Sequence, residues 1–165
     1  MEKKMLLSSH SRETKTFMNP LYNELEDALG YQFRDCALLS RAMTRLAAAK
    51  EEGKGDGSSM DALATLGDAA IDVVVLEHLI AGGIESKGEL SLTKVNMVNM
   101  TVLRRLAESF GLHRYVTWGK GESGQEIWQS GRVLAECMEA VCGAAYLDGG
   151  TEAVHRILVN LGFFL

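Results

Sequence analysis

Two stretches of the chain carry carboxylates at helical spacing. In DALATLGDAAID, residues 61–72, Asp61, Ala64 and Asp68 follow one another at intervals of three and four, which on a helix sets them along one face. In RVLAECMEAVCGAAYLDGG, residues 132–150, Glu136 and Glu139 stand three apart, and Gly143 continues their stripe without a side chain. The opposite stripe, Leu134, Met138, Val141 and Ala145, is apolar. Carboxylates paired across two packed helices are a donor set for magnesium, a hard cation that takes oxygen ligands, keeps several waters and activates water for attack on phosphate. Simpler readings of the same residues stand beside this one. An acid in a first turn, such as Asp61, is favourable for the helix dipole alone, and Glu136 with Glu139 equally suits a solvated face. The alanine at the centre of the first acidic stripe is the residue that either reading has to explain.

The remaining polar residues fall into weaker patterns. His10, His78, His113 and His155 show no spacing for a metal site or a catalytic triad. Cys36, Cys137 and Cys142 lack CxxC or His-Cys spacing, and an odd count does not make a disulfide framework. They read as buried free thiols in a reducing compartment, so a cytoplasmic location is expected. Arg45, Lys50 and Lys54 are the candidates for phosphate contacts, with Lys94, Arg104 and Arg132 behind them, although scattered basic residues most often form a solvated face. Trp118, Lys120 and Glu122 lie in a Gly-rich stretch, where an exposed Trp and Lys could touch a ligand but half-buried loop packing is commoner. Trp128 is read the same way.

These residues need elements to position them. The chain has 165 residues, 47% of them hydrophobic and one a proline, which suits one domain with its own core. Long runs of Ala, Leu, Met and Glu favour an all-α fold. A formal net charge of −5 speaks against a protein that coats nucleic acid by charge alone, but not against one holding cations in a carboxylate pocket. No segment is long and apolar enough to span a membrane, and the apolar run near the N-terminus is too short for a signal peptide. Residues 1–18 are expected to form a flexible arm and residues 19–165 a single domain. Helices are expected from Pro20 to Gly30 and through FRDCALLSRAMTRLAAAKEE, with Leu38, Leu39, Ala42 and Leu46 on one face. A mobile loop is expected at residues 51–59. Ser58 or Ser59 is expected to cap the next helix, which runs to about Ala81 and, being apolar nearly all round, belongs in the middle of the domain. One or two helices follow up to Gly111, with Met97 and Met100 in a core or a dimer seam. After a second loop, one helix is expected to stop near Leu147 at Gly149 and Gly150, before a last amphipathic helix.

LGDAAID, GELS, WGKGE and LAECMEAVCGAAYLDGG, in this order, resemble the ribonuclease III catalytic domain, over most of the chain from LEDALGYQF to Gly150. The resemblance implies an all-helical endonuclease fold, a homodimer, and magnesium-dependent cleavage of double-stranded RNA that leaves a 5′ phosphate and a 3′ hydroxyl. Manganese is an expected substitute for magnesium. The family's signature helix commonly reads Glu-Arg-Leu-Glu-Phe-Leu-Gly-Asp-Ala. Here it reads Asp61-Ala62-Leu63-Ala64-Thr65-Leu66-Gly67-Asp68-Ala69. The resemblance therefore makes Asp68 and Glu139 the catalytic metal ligands, with Glu136 and Asp61 as supporting acids of the metal site. Glu89, in GELS, matches an acidic position that the family places near the site.

Besides Asp61, one methylene shorter than the family's Glu, four departures accompany the match. Ala64 replaces a family carboxylate, Glu136 replaces a shorter Asp, and Thr65 replaces a bulky aromatic that plugs into the partner subunit. Thr44-Arg45 stands where the family tends to have Thr-His. ALATLGDA is similar to the ALAYIGDA stretch of the Mini-ribonuclease III proteins, active nucleases with alanine at this place, whereas GELS and YLDGG are more like standard ribonuclease III. No double-stranded-RNA-binding domain is expected after residue 165. The expectation is thus an endoribonuclease acting on double-stranded or structured RNA in RNA processing. The alternative is a degenerate, weakly active or inactive domain of the same fold that binds structured RNA or serves as a dimeric scaffold.

Overall fold

The computed structural model describes residues 20–165; the expected arm, residues 1–18, lies outside them. Among the described residues the chain is helical, with no strand and a single isolated parallel bridge between Thr44 and Thr117. The helices are α1 Pro20–Leu29, α2 Cys36–Ala42, α3 Leu46–Glu51, α4 Asp61–Ala81, α5 Lys87–Met97, α6 Met100–Ser109, α7 Lys120–Gly124 and α8 Gly131–Asn160. Helix α8 is the axis of the domain and packs on α4, α6 and α2. The face Leu134, Met138, Val141 and Ala145 is fully inside, as its apolar spacing predicts.

Helix α1 opens on Pro20 and is followed by Gly30 in the left-handed region, φ 66°, so proline and glycine mark its two ends as their backbone chemistry favours. Its buried Glu26 accepts the Phe33 amide at 2.7 Å, which anchors the turn into α2.

The segment expected to be one helix after Phe33 is two. Met43, Thr44 and Arg45 leave helical geometry because their backbone groups are taken by other segments. The Thr117 amide donates to the Met43 carbonyl at 2.7 Å, the Arg45 amide to the Thr117 carbonyl at 3.1 Å, and the Met60 amide to the Thr44 carbonyl at 2.9 Å. These long-range bonds compete with the helical i→i−4 bonds.

The cap of α4 also differs from expectation. Met60, not Ser58 or Ser59, occupies the N-cap position. Asp56–Ser58 forms a 3-10 turn, and the buried Ser59 hydroxyl donates back to the Asp56 carbonyl at 3.0 Å. Helix α4 buries Leu63, Gly67, Ala70, Ile71, Val74, Val75 and Leu79. Val73 and Ile80, on its far side, are 45% and 56% exposed, so α4 is covered on one broad face rather than all round.

The stretch up to Gly111 forms two helices. Asn99 separates them and caps α6 by accepting the Val102 amide at 3.1 Å. Met97 is half-buried against the core, while Met100 is 57% exposed. The second Gly-rich stretch is not a plain loop but holds 3-10 turns and the short helix α7. In α8 the helical turns pass beyond Leu147 and break at Gly150, φ 70° and ψ −161°. Asp148 explains the end of the YLDGG motif: it accepts the Tyr31 hydroxyl at 2.6 Å and the Arg34 and Asp35 amides at 3.0 and 2.8 Å. Cys137 and Cys142 are buried and Cys36 half-buried, all as free thiols. Burial pushes the Cys137 and Cys142 thiols up to about 12, which keeps them protonated and unreactive. No helix of the described residues is long and apolar enough to cross a membrane.

Candidate active site

The site begins with two glycines. A Cβ on Gly67 would stand 1.7 Å from the Glu139 carbonyl oxygen, and a Cβ on Gly143 would stand 1.9 Å from that of Leu63. Helices α4 and α8 therefore cross backbone to backbone, each through a point where the other has no side chain. Asp68 directly follows Gly67, and Glu139 lies one helical turn before Gly143. Close approach of the two backbones thus sets these two acids side by side, which side-chain-thick helix packing at 8–10 Å would not do.

An open cleft of about 790 Å³ lies over this crossing. Asp61, Ala64, Thr65 and Asp68 line it from α4, and Glu136 and Glu139 from α8. Arg45, Leu46 and Ala47 line it from the start of α3 and Lys50 from its last turn, with Met60 and Glu122 completing the wall. The acids picked out from spacing therefore share one cavity. So does Ala64, half-buried between them.

The Glu139 carboxyl is held far from its ordinary range. Burial, then the like charges of Asp68 and Glu136, push its carboxyl up to about 7. No hydrogen bond or ion pair engages Asp68 or Glu139 through its carboxylate among the described residues. A half-buried acid next to two further acids, with no donor of its own, is a site short of positive charge. At the same time, no three acids of the described residues stand close enough to form a ready-made metal cage. The donor set fits a hydrated divalent ion held by two carboxylates, the mode in which magnesium retains most of its waters.

Glu136 and Arg45 behave differently. The Arg45 guanidinium donates from Nε to Glu122 Oε1 at 2.9 Å, with Nη2 2.8 Å from the same oxygen, and its Nη1 lies 3.7 Å from Glu136 Oε2. It also sits over the Trp118 ring at 5.9 Å. Its side chain is 15% exposed, so this cation is turned into the protein. Burial favours its neutral form, but the bond and charge of Glu122 prevail and raise its proton affinity. Glu136 accepts a second arginine, Arg132 Nε, at 3.1 Å.

Lys50 lines the cleft and has no ion-pair partner among the described residues. Lys54 is outside the cleft wall and pairs with Glu52 in solvent. Asp61 is exposed in the first turn of α4, and its backbone carbonyl accepts the Thr65 hydroxyl at 3.2 Å. Glu89 is exposed in the first turn of α5, where its amide is capped by Ser86, and does not line the cleft. Trp118 and Trp128 are half-buried, their centroids 5.2 Å apart, with Trp118 donating to the His113 carbonyl at 3.0 Å. His78 stacks on Phe164 at 4.1 Å, away from the cleft.

Glu122 is the residue that spacing did not single out as part of the acidic site. Its Oε2 accepts the Gly119 amide at 3.1 Å while Oε1 holds Arg45. The pairing joins residues 77 positions apart, and no local periodicity signals it.

Residues 35–161 match the profile of a family described as Ribonuclease-III-like. Ribonuclease 3 of Bdellovibrio bacteriovorus is 38% identical over 135 residues, 81% of this chain and 57% of the relative. Ribonuclease 3 of Caldanaerobacter subterraneus subsp. tengcongensis is 36% identical over 138 residues, 83% of this chain and 60% of the relative. The chain thus spans less than two thirds of the length of these relatives. A solved nuclease domain of ribonuclease III from Campylobacter jejuni superposes with a TM-score of 0.74 at 28% identity, over 84% of this chain and 93% of that domain. Profile, relatives and all-helical architecture agree that the chain belongs to the ribonuclease-III-like family.

Proposed function

We propose that the chain is the nuclease part of a metal-dependent endoribonuclease that cuts double-stranded or structured RNA in RNA processing. Asp68 and Glu139 hold a magnesium ion, and manganese is the expected substitute. The observation that supports this most is the Gly67–Gly143 crossing, which sets two unpartnered carboxylates on one open cleft. A divalent cation bound there supplies the positive charge that a phosphodiester lacks in this acidic cleft and lowers the pKa of water. Asp68 and Glu139 would hold the ion from opposite sides of the helix crossing, Asp68 from α4 and Glu139 from α8. Lys50, at the cleft wall, offers the phosphate backbone a cation, while Asp61 adds negative charge at the mouth. The cytoplasm, a reducing compartment, suits three free thiols.

The chain acts as a homodimer in this reading. Val73, Ile80, Leu92, Val95 and Met100 leave apolar surface in water on α4, α5 and α6, and the Campylobacter domain is described as having a region involved in dimer formation. Thr65 is exposed and too small to plug a partner's socket, so the apolar surface must carry the contact. Sedimentation at micromolar concentration is expected to show a species of two chains, and a single-chain mass alone overturns the dimer.

The activity is tested by incubating duplex RNA with the purified chain, with and without magnesium. Wild type is expected to cut only with magnesium, and Asp68→Asn and Glu139→Gln to lose about 10²-fold or more of that rate while staying folded. Wild-type rates in either variant overturn the site. A folded wild type that binds duplex RNA but never cuts it overturns this reading and leaves a degenerate domain.

A further inference from the structure

The cleft contains a cation of its own. We propose that Arg45 is a positioning residue that serves as a built-in counter-ion: it withdraws Glu136 from the metal-binding set and restricts Asp68 and Glu139 to one divalent ion. This rests on the metal site proposed above.

Three observations carry it. First, Arg45 is fixed from several sides before any ligand arrives. Its amide is bonded to the Thr117 carbonyl, its Nε and Nη2 to Glu122 Oε1, and its guanidinium lies over Trp118. Glu122 is itself fixed, since its other oxygen caps the Gly119 amide. A guanidinium held this way loses little freedom on pairing and stays charged. Second, the free end of that guanidinium, Nη1, is directed at Glu136, 3.7 Å away, while Arg132 engages the other Glu136 oxygen at 3.1 Å. Both carboxylate oxygens of Glu136 thus face arginine. A dication reaching for Glu136 has to displace or approach a positive charge in a partly desolvated cleft, where like charges repel more strongly than in water. Third, Ala64 offers no oxygen at the place between the two acidic pairs. With Glu136 engaged, Ala64 silent and Asp61 exposed in the first turn of α4, Asp68 and Glu139 are the acids at the crossing left for metal, and two carboxylates offset the mutual repulsion of two adjacent dications poorly.

The test titrates the full chain with Mn²⁺ alone, reading bound ion by electron paramagnetic resonance and heat by calorimetry. Wild type is expected to take one ion per chain. Asp68→Asn and Glu139→Gln are expected to weaken it by about tenfold or more. Glu136→Gln is expected to leave the Kd within about threefold, because Glu136 is no ligand. Arg45→Met, which keeps the length and removes the charge, is expected to bring in a second ion or tighten binding by about tenfold, and Arg45→Lys to keep the wild-type count. Glu136→Gln weakening Mn²⁺ as much as Glu139→Gln does overturns the role of Arg45 and leaves the metal site standing. A wild type that binds no Mn²⁺, or binds it independently of Asp68, overturns the metal site and this inference together. If Arg45→Met fails to fold, the Glu136→Gln titration decides alone.

Discussion

Replacing Gly67 with alanine puts a methyl carbon 1.7 Å from the Glu139 carbonyl oxygen, 2.6 Å from its carbonyl carbon and 2.8 Å from the Gly143 amide nitrogen. Ordinary contact begins near 3.4 Å, so the crossing has to open by roughly 1.7 Å at that point, a distance no side-chain rotation provides because every obstructing atom is backbone. Overpacking a well-filled core costs about 1–3 kcal/mol, and backbone obstruction belongs at the upper end. Alanine in place of a helical glycine returns up to about 1 kcal/mol of helix propensity. The net expectation is a loss of about 2–3 kcal/mol, or a melting temperature lower by about 4–12 °C for a domain of this size. Gly143→Ala meets the Leu63 carbonyl at 1.9 Å and is expected to behave alike. The double variant should lose less than the two single losses added, because one widening relieves both clashes. Gly121→Ala, which meets nothing within 4 Å, is the control and should melt within about 2 °C of wild type. Circular dichroism melts and urea titrations read the stability. In the proposed nuclease, a displacement of this size between Asp68 and Glu139 should also lower cleavage by about 10²-fold. A Gly67→Ala protein as stable as the Gly121→Ala control refutes the claim that this crossing positions the acids.

The other predictions concern charge. Glu139 titrates near 7 in the fold against 4.5 as its ordinary value, so the folded, metal-free chain holds this proton to higher pH and loses stability as pH rises from about 4.5 to 7. Glu139→Gln should flatten that part of the profile in EDTA and stabilise the chain at pH 8 by about 1–3 kcal/mol after allowance for solvent screening; an unchanged profile refutes the coupling. Asp148 runs the other way. Burial raises its carboxyl, but the Tyr31 hydroxyl and the Arg34 and Asp35 amides outweigh that and hold it below the usual range, so its contribution is lost as pH falls through that lowered value. Asp148→Ala should cost about 1–2 kcal/mol at neutral pH, read by urea denaturation. Ala64→Glu should lower the magnesium concentration for half-maximal cleavage; an unchanged or higher value with the fold intact shows that Ala64 is not a vacated ligand position.

Much of the candidate site was legible along the chain because helical periodicity is local. Spacing alone put Asp61, Ala64 and Asp68 on one face and Glu136 with Glu139 on another, and the apolar stripe of α8 was readable for the same reason. Order and identity of LGDA and YLDGG carried the family, and the small residues in those motifs were visible without their purpose. Only the tertiary structure showed that Gly67 and Gly143 meet each other, since a glycine in a helix announces a close approach but not its partner. The break at Met43–Arg45 was likewise hidden. It is made by hydrogen bonds to Thr117 and Met60, and bonds between distant segments leave no period in either. The fold likewise turned Arg45 from an apparent surface cation into a half-buried one: its charge was plain in the sequence, but its partner Glu122 is 77 residues away, and whether a cation faces solvent or protein is decided by what folds on top of it.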